Sequence, residues 1–217
     1  AVGYQALLCN TTGHNNVAIG CQAMAYGTGA TYSVAIGLCN LSNSCSLNNI
    51  AIGSNALSSN TTGIHNVGIG CQVLQNTTTG SNNFAVGYCA LSLNTYGCNL
   101  FAVGYNALAS NTTAGQNTVV GYQAGYSNTT GGSFTAVGTN AGYTNQSANA
   151  VAVGVNAGYQ SQGVGAAAFG TYSGTYTQGS GAVALGYYAG FSNQGGQAIA
   201  IGQYAGYANQ ANNSIII

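Results

Sequence analysis

Apolar and small residues alternate over short stretches of this chain, then break at a glycine, and the break returns on a fixed beat. In Asn16-Val17-Ala18-Ile19-Gly20 and Asn149-Ala150-Val151-Ala152-Val153-Gly154, β-branched residues alternate with alanine, the period of two that marks a strand. The closing glycine falls at Gly3, Gly20, Gly37, Gly53, Gly70, Gly87, Gly104, Gly121, Gly138, Gly154, Gly170, Gly186 and Gly202, at intervals of 16 or 17 residues. Between glycines lie a second short segment, such as Tyr4-Gln5-Ala6-Leu7, and a polar turn, such as Asn10-Thr11-Thr12-Gly13. An interval of this length holds two strands of about five residues and two turns, but not a helix pair. The pattern predicts an all-β chain, a parallel β-solenoid (β-roll) of about 13 turns occupying residues 1–217 as one body. Its stability must come from stacked neighbours, because one turn buries little alone.

The alternation also predicts two faces. Branched residues are expected on the core side and alanines outward, so that Ala18, Ala35, Ala51, Ala85, Ala102, Ala136 and Ala152 form a packing interface for another β surface. Asn recurs seven places after the motif glycine, at Asn10, Asn60, Asn94, Asn111, Asn128, Asn145, Asn193 and Asn209, and reads as a ladder of turn residues. The grammar changes near residue 118, giving sub-sections 1–118 and 119–217. Four places after the glycine, the first has Leu7, Met24, Leu41, Leu57, Leu74, Leu91 and Leu108; the second has Gly125, Gly142, Gly158, Gly174, Gly190 and Gly206. The next position then becomes mostly aromatic: Tyr126, Tyr143, Tyr159, Phe191 and Tyr207. Stacked on adjacent turns these rings make a ladder, either packed in the core or between chains, or exposed as a sugar-binding stripe.

Charge removes many functions. The chain has no Asp, Glu, Lys or Arg, hence no carboxylate acid–base pair, no hard-cation ligands and no basic footprint for nucleic acid. Ser, His, Cys and Tyr lack a carboxylate to orient them, so no catalytic residues are assigned and an enzyme is not expected. His14 and His65 stand apart in polar turns and no Cys-x-x-Cys occurs, so no metal ligand or cofactor is expected. No apolar run reaches the length of a membrane-spanning helix. With no net charge, copies do not repel, and self-association is the default. The chain opens in mid-motif and closes on Ile215-Ile216-Ile217 in phase with it, which reads as a mature product or an excerpt whose copies could stack end to end.

All seven cysteines precede residue 118: Cys9, Cys21, Cys39, Cys45, Cys71, Cys89 and Cys98. Cys21 and Cys39, like Cys71 and Cys89, sit one and two places after successive motif glycines, so rung-to-rung disulfides Cys21–Cys39 and Cys71–Cys89 are candidates beside small buried thiols. Sequons begin at Asn10, Asn40, Asn60, Asn76, Asn111, Asn128, Asn145 and Asn212, each a candidate glycosylation site on an expected surface turn.

Asn15-Asn16-Val17-Ala18-Ile19-Gly20, Asn48-Asn49-Ile50-Ala51-Ile52-Gly53 and Asn149 to Gly154 resemble the head repeats of trimeric autotransporter adhesins. The fuller unit, clearest at Val119-Val120-Gly121-Tyr122-Gln123-Ala124-Gly125-Tyr126-Ser127-Asn128-Thr129-Thr130-Gly131, is similar to repeats of viral and phage fibre proteins. The resemblance implies a left-handed roll, three chains side by side, exposed at a cell or virion surface and attaching to a host or matrix. Together these readings predict a non-catalytic extracellular structural or adhesive fibre element that associates with itself as an oligomer or filament. The alternative is a glycan- or ice-binding solenoid using Thr, Asn and Tyr ladders.

Overall fold

The computed structural model describes residues 1–217 and contains no helix; its short parallel strands stack turn upon turn as a β-solenoid. The chain divides into two compact units, Ala1–Gly115 and Gln116–Ile217.

In the first unit, β1 (Val17–Ile19), β2 (Val34–Ile36), β3 (Ile50–Ile52), β4 (Val67–Ile69), β5 (Phe84–Val86) and β6 (Phe101–Val103) pair in sequence order. The register is in phase, with Ala18 opposite Ala35, Ala35 opposite Ala51 and Ala85 opposite Ala102. Each strand is three residues long, not five, and the following segment in this unit is a chain of turns instead of a second strand.

The expected sense of the two faces is reversed. Ala18, Ala35, Ala51, Ala85 and Ala102, and Ala136 and Ala152 in the second unit, have no solvent exposure, whereas Val17 and Ile19 beside Ala18 are 45% and 42% exposed. The alanines are core and cannot be an interface. The reason is the narrowness of the coil. A Cβ placed on Gly68, at the centre of β4, would lie 3.6 Å from Leu74 Cδ1 and 3.7 Å from Leu57 Cδ1. Leucines from the opposite wall thus reach the strand itself, leaving room for one methyl group. Gly68 replaces alanine where Val73 replaces the usual alanine of the opposite wall, and the added Cβ would come 3.0 Å from Val73 Cγ1; volume lost on one wall is taken up on the other.

The opposite wall carries the bulk. Met24, Leu41, Leu57, Leu74, Leu91 and Leu108 are fully buried, yet each has left-handed backbone, with φ between 46° and 54°. That conformation costs a non-glycine residue roughly 1–2 kcal/mol, while burying a leucine side chain contributes about 1.5–3 kcal/mol. Burial outweighs the strain, which explains bulky residues at a position whose backbone favours glycine. Buried asparagines fasten the rungs: Asn49 Nδ2 donates to Gly63 O (2.8 Å), Asn66 Nδ2 to Gly80 O (2.8 Å), and the backbone N–H groups of Asn66 and Asn83 donate to Asn49 Oδ1 (2.8 Å) and Asn66 Oδ1 (3.0 Å).

In the second unit, β7 (Thr118–Val120), β8 (Thr135–Val137), β9 (Val151–Val153), β11 (Ala167–Phe169), β13 (Val183–Leu185), β15 (Ile199–Ile201) and β16 (Ile215–Ile216) form the alanine-centred wall. From Gly138 onward every interval is 16 residues, and a second parallel sheet appears, β10 (Gln160–Gln162), β12 (Tyr176–Gln178) and β14 (Ser192–Gln194). The motif glycines are indispensable to this stacking. Gly154 has φ +131°, and a Cβ there would lie 2.6 Å from the carbonyl of Gly170 on the next turn.

The bulky slot is now glycine, and its volume is filled from elsewhere. Gln162, Gln178, Gln194 and Gln210, eight places after the motif glycine, are buried and extend across the core to the strand carbonyls of Val151 (3.0 Å), Ala167 (2.8 Å), Val183 (2.8 Å) and Ile199 (2.7 Å). Gln162 Nε2 also donates to Gln178 Oε1 (2.8 Å), and Gln194 Nε2 to Gln210 Oε1 (3.1 Å). A Cβ on Gly174 would lie 2.8 Å from Gln178 Oε1, so the amide stands where a leucine would begin.

Candidate functional surfaces

Three kinds of surface emerge from this architecture. The first is the outer face of each alanine-centred wall. Because the strand centre must be small and buried, the flanking branched residues point to solvent: Val17, Ile19, Ile50, Ile69, Phe84 and Phe101 in the first unit, and Val137, Phe169, Leu185 and Ile201 in the second, are all exposed. Phe84 and Phe101 stack at 5.1 Å with their planes 7° apart. Singly exposed apolar residues are ordinary, but apolar side chains repeating at every rung mark a surface built for contact.

The second is a set of polar turn ladders. Thr61 Oγ1 donates to Thr78 O (3.0 Å), Thr78 Oγ1 to Thr95 O (3.2 Å) and Thr95 Oγ1 to Thr112 O (3.0 Å); these hydroxyls are committed to holding the next turn. The same is true of many asparagines, which corrects the glycosylation reading. Asn40, Asn60, Asn111 and Asn128 are buried, and their amides donate to Gly53 O (2.7 Å), Gly63 O (2.9 Å), Ala114 O (3.0 Å) and Gly131 O (2.9 Å). A glycan on any of them would lie inside the coil. Asn10 and Asn76 are half-buried, Asn10 Nδ2 bonding Gly13 O (2.9 Å), while Asn145 and Asn212 are exposed.

All seven cysteines are free thiols, so the Cys21–Cys39 and Cys71–Cys89 bridges are not formed. Register explains this. Cys39 N–H donates to Cys21 O and Cys89 N–H to Cys71 O, each at 3.0 Å, which places Cys39 and Cys89 beside Gln22 and Gln72. Their thiols accordingly donate to Gln22 Oε1 (3.2 Å) and Gln72 Oε1 (3.3 Å). The buried-thiol alternative also needs correction: none of the seven is buried, and Cys9, Cys21, Cys45 and Cys71 are exposed. Desolvation pushes the Cys89 thiol above its ordinary value, and hydrogen bonding from Thr28 lowers that of Cys45. His14 meets Tyr32 edge-on at 5.5 Å, and His65 Nε2 lies 3.3 Å from Asn48 Nδ2. No three His or Cys side chains gather at metal-binding separation, and no helix is long and apolar enough to cross a membrane.

The third surface is aromatic and belongs to the second unit. Tyr126 and Tyr143 stack at 5.3 Å, Tyr143 and Tyr159 at 4.9 Å, Phe191 and Tyr207 at 5.0 Å. The rings are half-buried or exposed, so the ladder is a surface stripe and does not refill the core. A second column that sequence reading missed runs beside it, with Tyr172 and Tyr188 stacked at 4.7 Å and Tyr188 and Tyr204 at 5.4 Å. Its sequence signal is tyrosine two places after the glycine in three successive turns, where earlier turns have Gln, Cys or Asn. The buried glutamines were equally legible as a 16-residue recurrence. At Thr175 the first column is interrupted, and a cleft of about 260 Å³ opens, lined by Asn140, Asn156, Tyr159, Tyr172, Thr175 and Tyr176.

Comparison of the chain with protein-family models, curated proteins and solved structures finds no match.

Proposed function

We propose that this chain is a non-catalytic structural or adhesive element of an extracellular fibre, and that copies associate side by side through the outer faces of their alanine-centred walls. The observation that carries the reading is the run of exposed Val, Ile, Leu and Phe on those faces. A solvated sheet face ordinarily alternates apolar-in with polar-out; here both directions are apolar, because alanine fills the narrow core and the branched residues are left outside. Covering that face removes apolar area from water, at about 25 cal/mol per Å². The complete lack of charged side chains leaves no like-charge repulsion to oppose a second copy. A trimer, as in the adhesin heads that the repeats resemble, is one closed solution for such a face.

The test introduces charge on the face without touching the core. Ile19→Lys combined with Ile69→Lys is expected to leave the circular dichroism spectrum unchanged while converting assemblies to monomers in sedimentation velocity and electron microscopy. A wild-type protein that sediments as a monomer, or a double variant that still assembles, would overturn the proposal. Ala51→Lys makes the contrasting control: it is expected to unfold its turn, because Ala51 is core.

A further inference from the structure

We infer that the cleft at Thr175 is a binding subsite for one neutral sugar ring of a glycan. Its origin lies in the sequence. Five places after the motif glycine the second unit has Tyr126, Tyr143, Tyr159, Thr175, Phe191 and Tyr207, so Thr175 is the single gap in an otherwise aromatic column. The gap coincides with the change of the neighbouring column from Asn140 and Asn156 to Tyr172, Tyr188 and Tyr204. One rung therefore presents a hollow with aromatic rings on several sides and amides on another.

The chemistry of the lining selects the ligand. Tyr159 and Tyr176 meet edge to face, with centroids 6.5 Å apart and planes at 77°, so the hollow is lined by ring surfaces in two orientations. An aromatic face accepts the C–H face of a pyranose, which combines an apolar surface with a polar rim. Asn140 Nδ2 donates to Asn156 Oδ1 at 3.1 Å, while Asn140 Oδ1 is buried without a partner. An orphaned carbonyl oxygen among the lining residues is an unused acceptor, and buried polar groups are rarely left so. That oxygen has almost no accessible surface, so the Asn140 side chain must turn toward the cleft before a ligand hydroxyl can donate to it and recover that bond. Thr175 is itself locked, its Oγ1 donating to Tyr172 O at 2.7 Å, and so forms a fixed floor. No Lys, Arg, Asp or Glu is present anywhere, so nothing counters an ionic ligand, and a neutral one is selected. The volume of about 260 Å³ lies just below the usual range of small-molecule pockets, which starts near 300 Å³, and suits one ring with the rest of a glycan lying outside. This surface is separate from the strand faces invoked for self-association, so either proposal can fail without the other.

The experiment is saturation-transfer NMR on the full chain, with the methyl glycosides of glucose, galactose, mannose and N-acetylglucosamine as probes at millimolar concentration. At least one probe is expected to receive saturation, strongest at its ring C–H protons. Thr175→Tyr, which extends the aromatic column through the gap as adjacent turns already do, is expected to weaken that signal at least about tenfold with unchanged circular dichroism. Tyr172→Asn, which gives the turn the residue its predecessor has, is expected to weaken it as well and serves if the first variant misfolds. No transfer to any of the four probes, or transfer undiminished in both folded variants, would overturn the assignment.

Discussion

The two units solve one packing problem in opposite ways. In each turn the fourth residue after the motif glycine has left-handed backbone, as Leu74 (φ 50°) in the first unit and Gly174 (φ 50°) in the second. The first unit accepts strain there and gains a buried leucine. The second relaxes the backbone with glycine and fills the space with a glutamine whose amide bonds the opposite wall. From Gly138 onward the turns are also one residue shorter and the inward position moves by one. Length alone does not set the switch, since the 16-residue turn from Gly37 to Gly53 keeps Leu41 and a buried Ser44 at the seventh place. In the 17-residue turns Asn60, Asn94 and Asn111, seven places after the glycine, are buried; in the 16-residue turns Asn145, Asn193 and Asn209, at the same offset, are exposed, and the next residue points inward. A one-residue slip exchanges the faces of a chain segment, and here it exchanges an inner asparagine ladder for an inner glutamine ladder. The turn from Gly121 to Gly138 combines features of both, with glycine at the slot, Asn128 still inside, and Phe134, fully buried, taking up the vacated volume.

The sharpest way to break this comparison is to put both solutions into one turn. Gly174→Leu places a Cβ against Gln178 Oε1 and adds left-handed strain, so overpacking of about 1–3 kcal/mol and strain of roughly 1–2 kcal/mol act together. The expected loss is about 2–5 kcal/mol, read from urea unfolding. Gly174→Leu with Gln178→Ala is expected to be less destabilised than Gly174→Leu alone, because the leucine then occupies the vacated core. A double variant at least as unstable as Gly174→Leu alone would show that the glutamine does not stand in for the leucine.

A smaller effect separates strain from burial in the first unit. Leu74→Ala deletes buried side-chain atoms at a cost of about 2–5 kcal/mol but keeps a Cβ in the left-handed region. Leu74→Gly deletes the same packing and removes that strain. In a helix or strand glycine is the worse residue by roughly 0.5–1 kcal/mol; at this position the order should invert, with Leu74→Gly the more stable of the two. Urea midpoints for the pair decide it, and alanine above glycine would mean that left-handed strain is not a significant term at this slot.

The period, the parallel solenoid and the position of the grammar change were all legible in the sequence, because glycine spacing and strand alternation follow directly from backbone geometry. Which face was inside was not. Alternation of Val17-Ala18-Ile19 fixes two faces but not their sense, and ordinary hydrophobicity assigns the larger residues to the core. The deciding quantity is the distance between walls, a property of Leu57 and Leu74 meeting β4 that no single strand encodes. Four of the sequons, at Asn40, Asn60, Asn111 and Asn128, were misplaced for a related reason: a polar turn is expected at the surface, yet in a coil this narrow their side chains satisfy carbonyl groups inside it. The cleft was hidden because it is an absence, one threonine in a column of rings.

The smallest expected effect concerns pH, and it again distinguishes the units. With no Asp or Glu there are no side-chain carboxylates to protonate, and the usual driver of acid unfolding is missing; melting temperature should hold through the acid range where carboxylates titrate. At the alkaline end the second unit carries two adjacent columns of stacked tyrosines. Tyr143 is raised above its ordinary value by desolvation and then by its neighbours Tyr159 and Tyr126, and Tyr188 by desolvation and then by Tyr187 and Tyr172. A raised value in the folded state means that folding favours the neutral phenol. The contribution is therefore complete below the unfolded value, near 10, and is lost as pH rises through the higher folded values. In the first unit Tyr88 also stacks, on Tyr105 at 5.2 Å with planes 14° apart, but it is raised first by its hydrogen bond with Cys89, ahead of desolvation. Above about pH 10, amide exchange corrected for its intrinsic pH dependence should accelerate first around Tyr143 and Tyr188. Equal acceleration around Leu57 and Leu74 would show that the tyrosine ladders do not set the alkaline limit, whereas a selective response would tie the stability of the second unit to the columns in which Tyr143 and Tyr188 stack on the cleft residues Tyr159 and Tyr172.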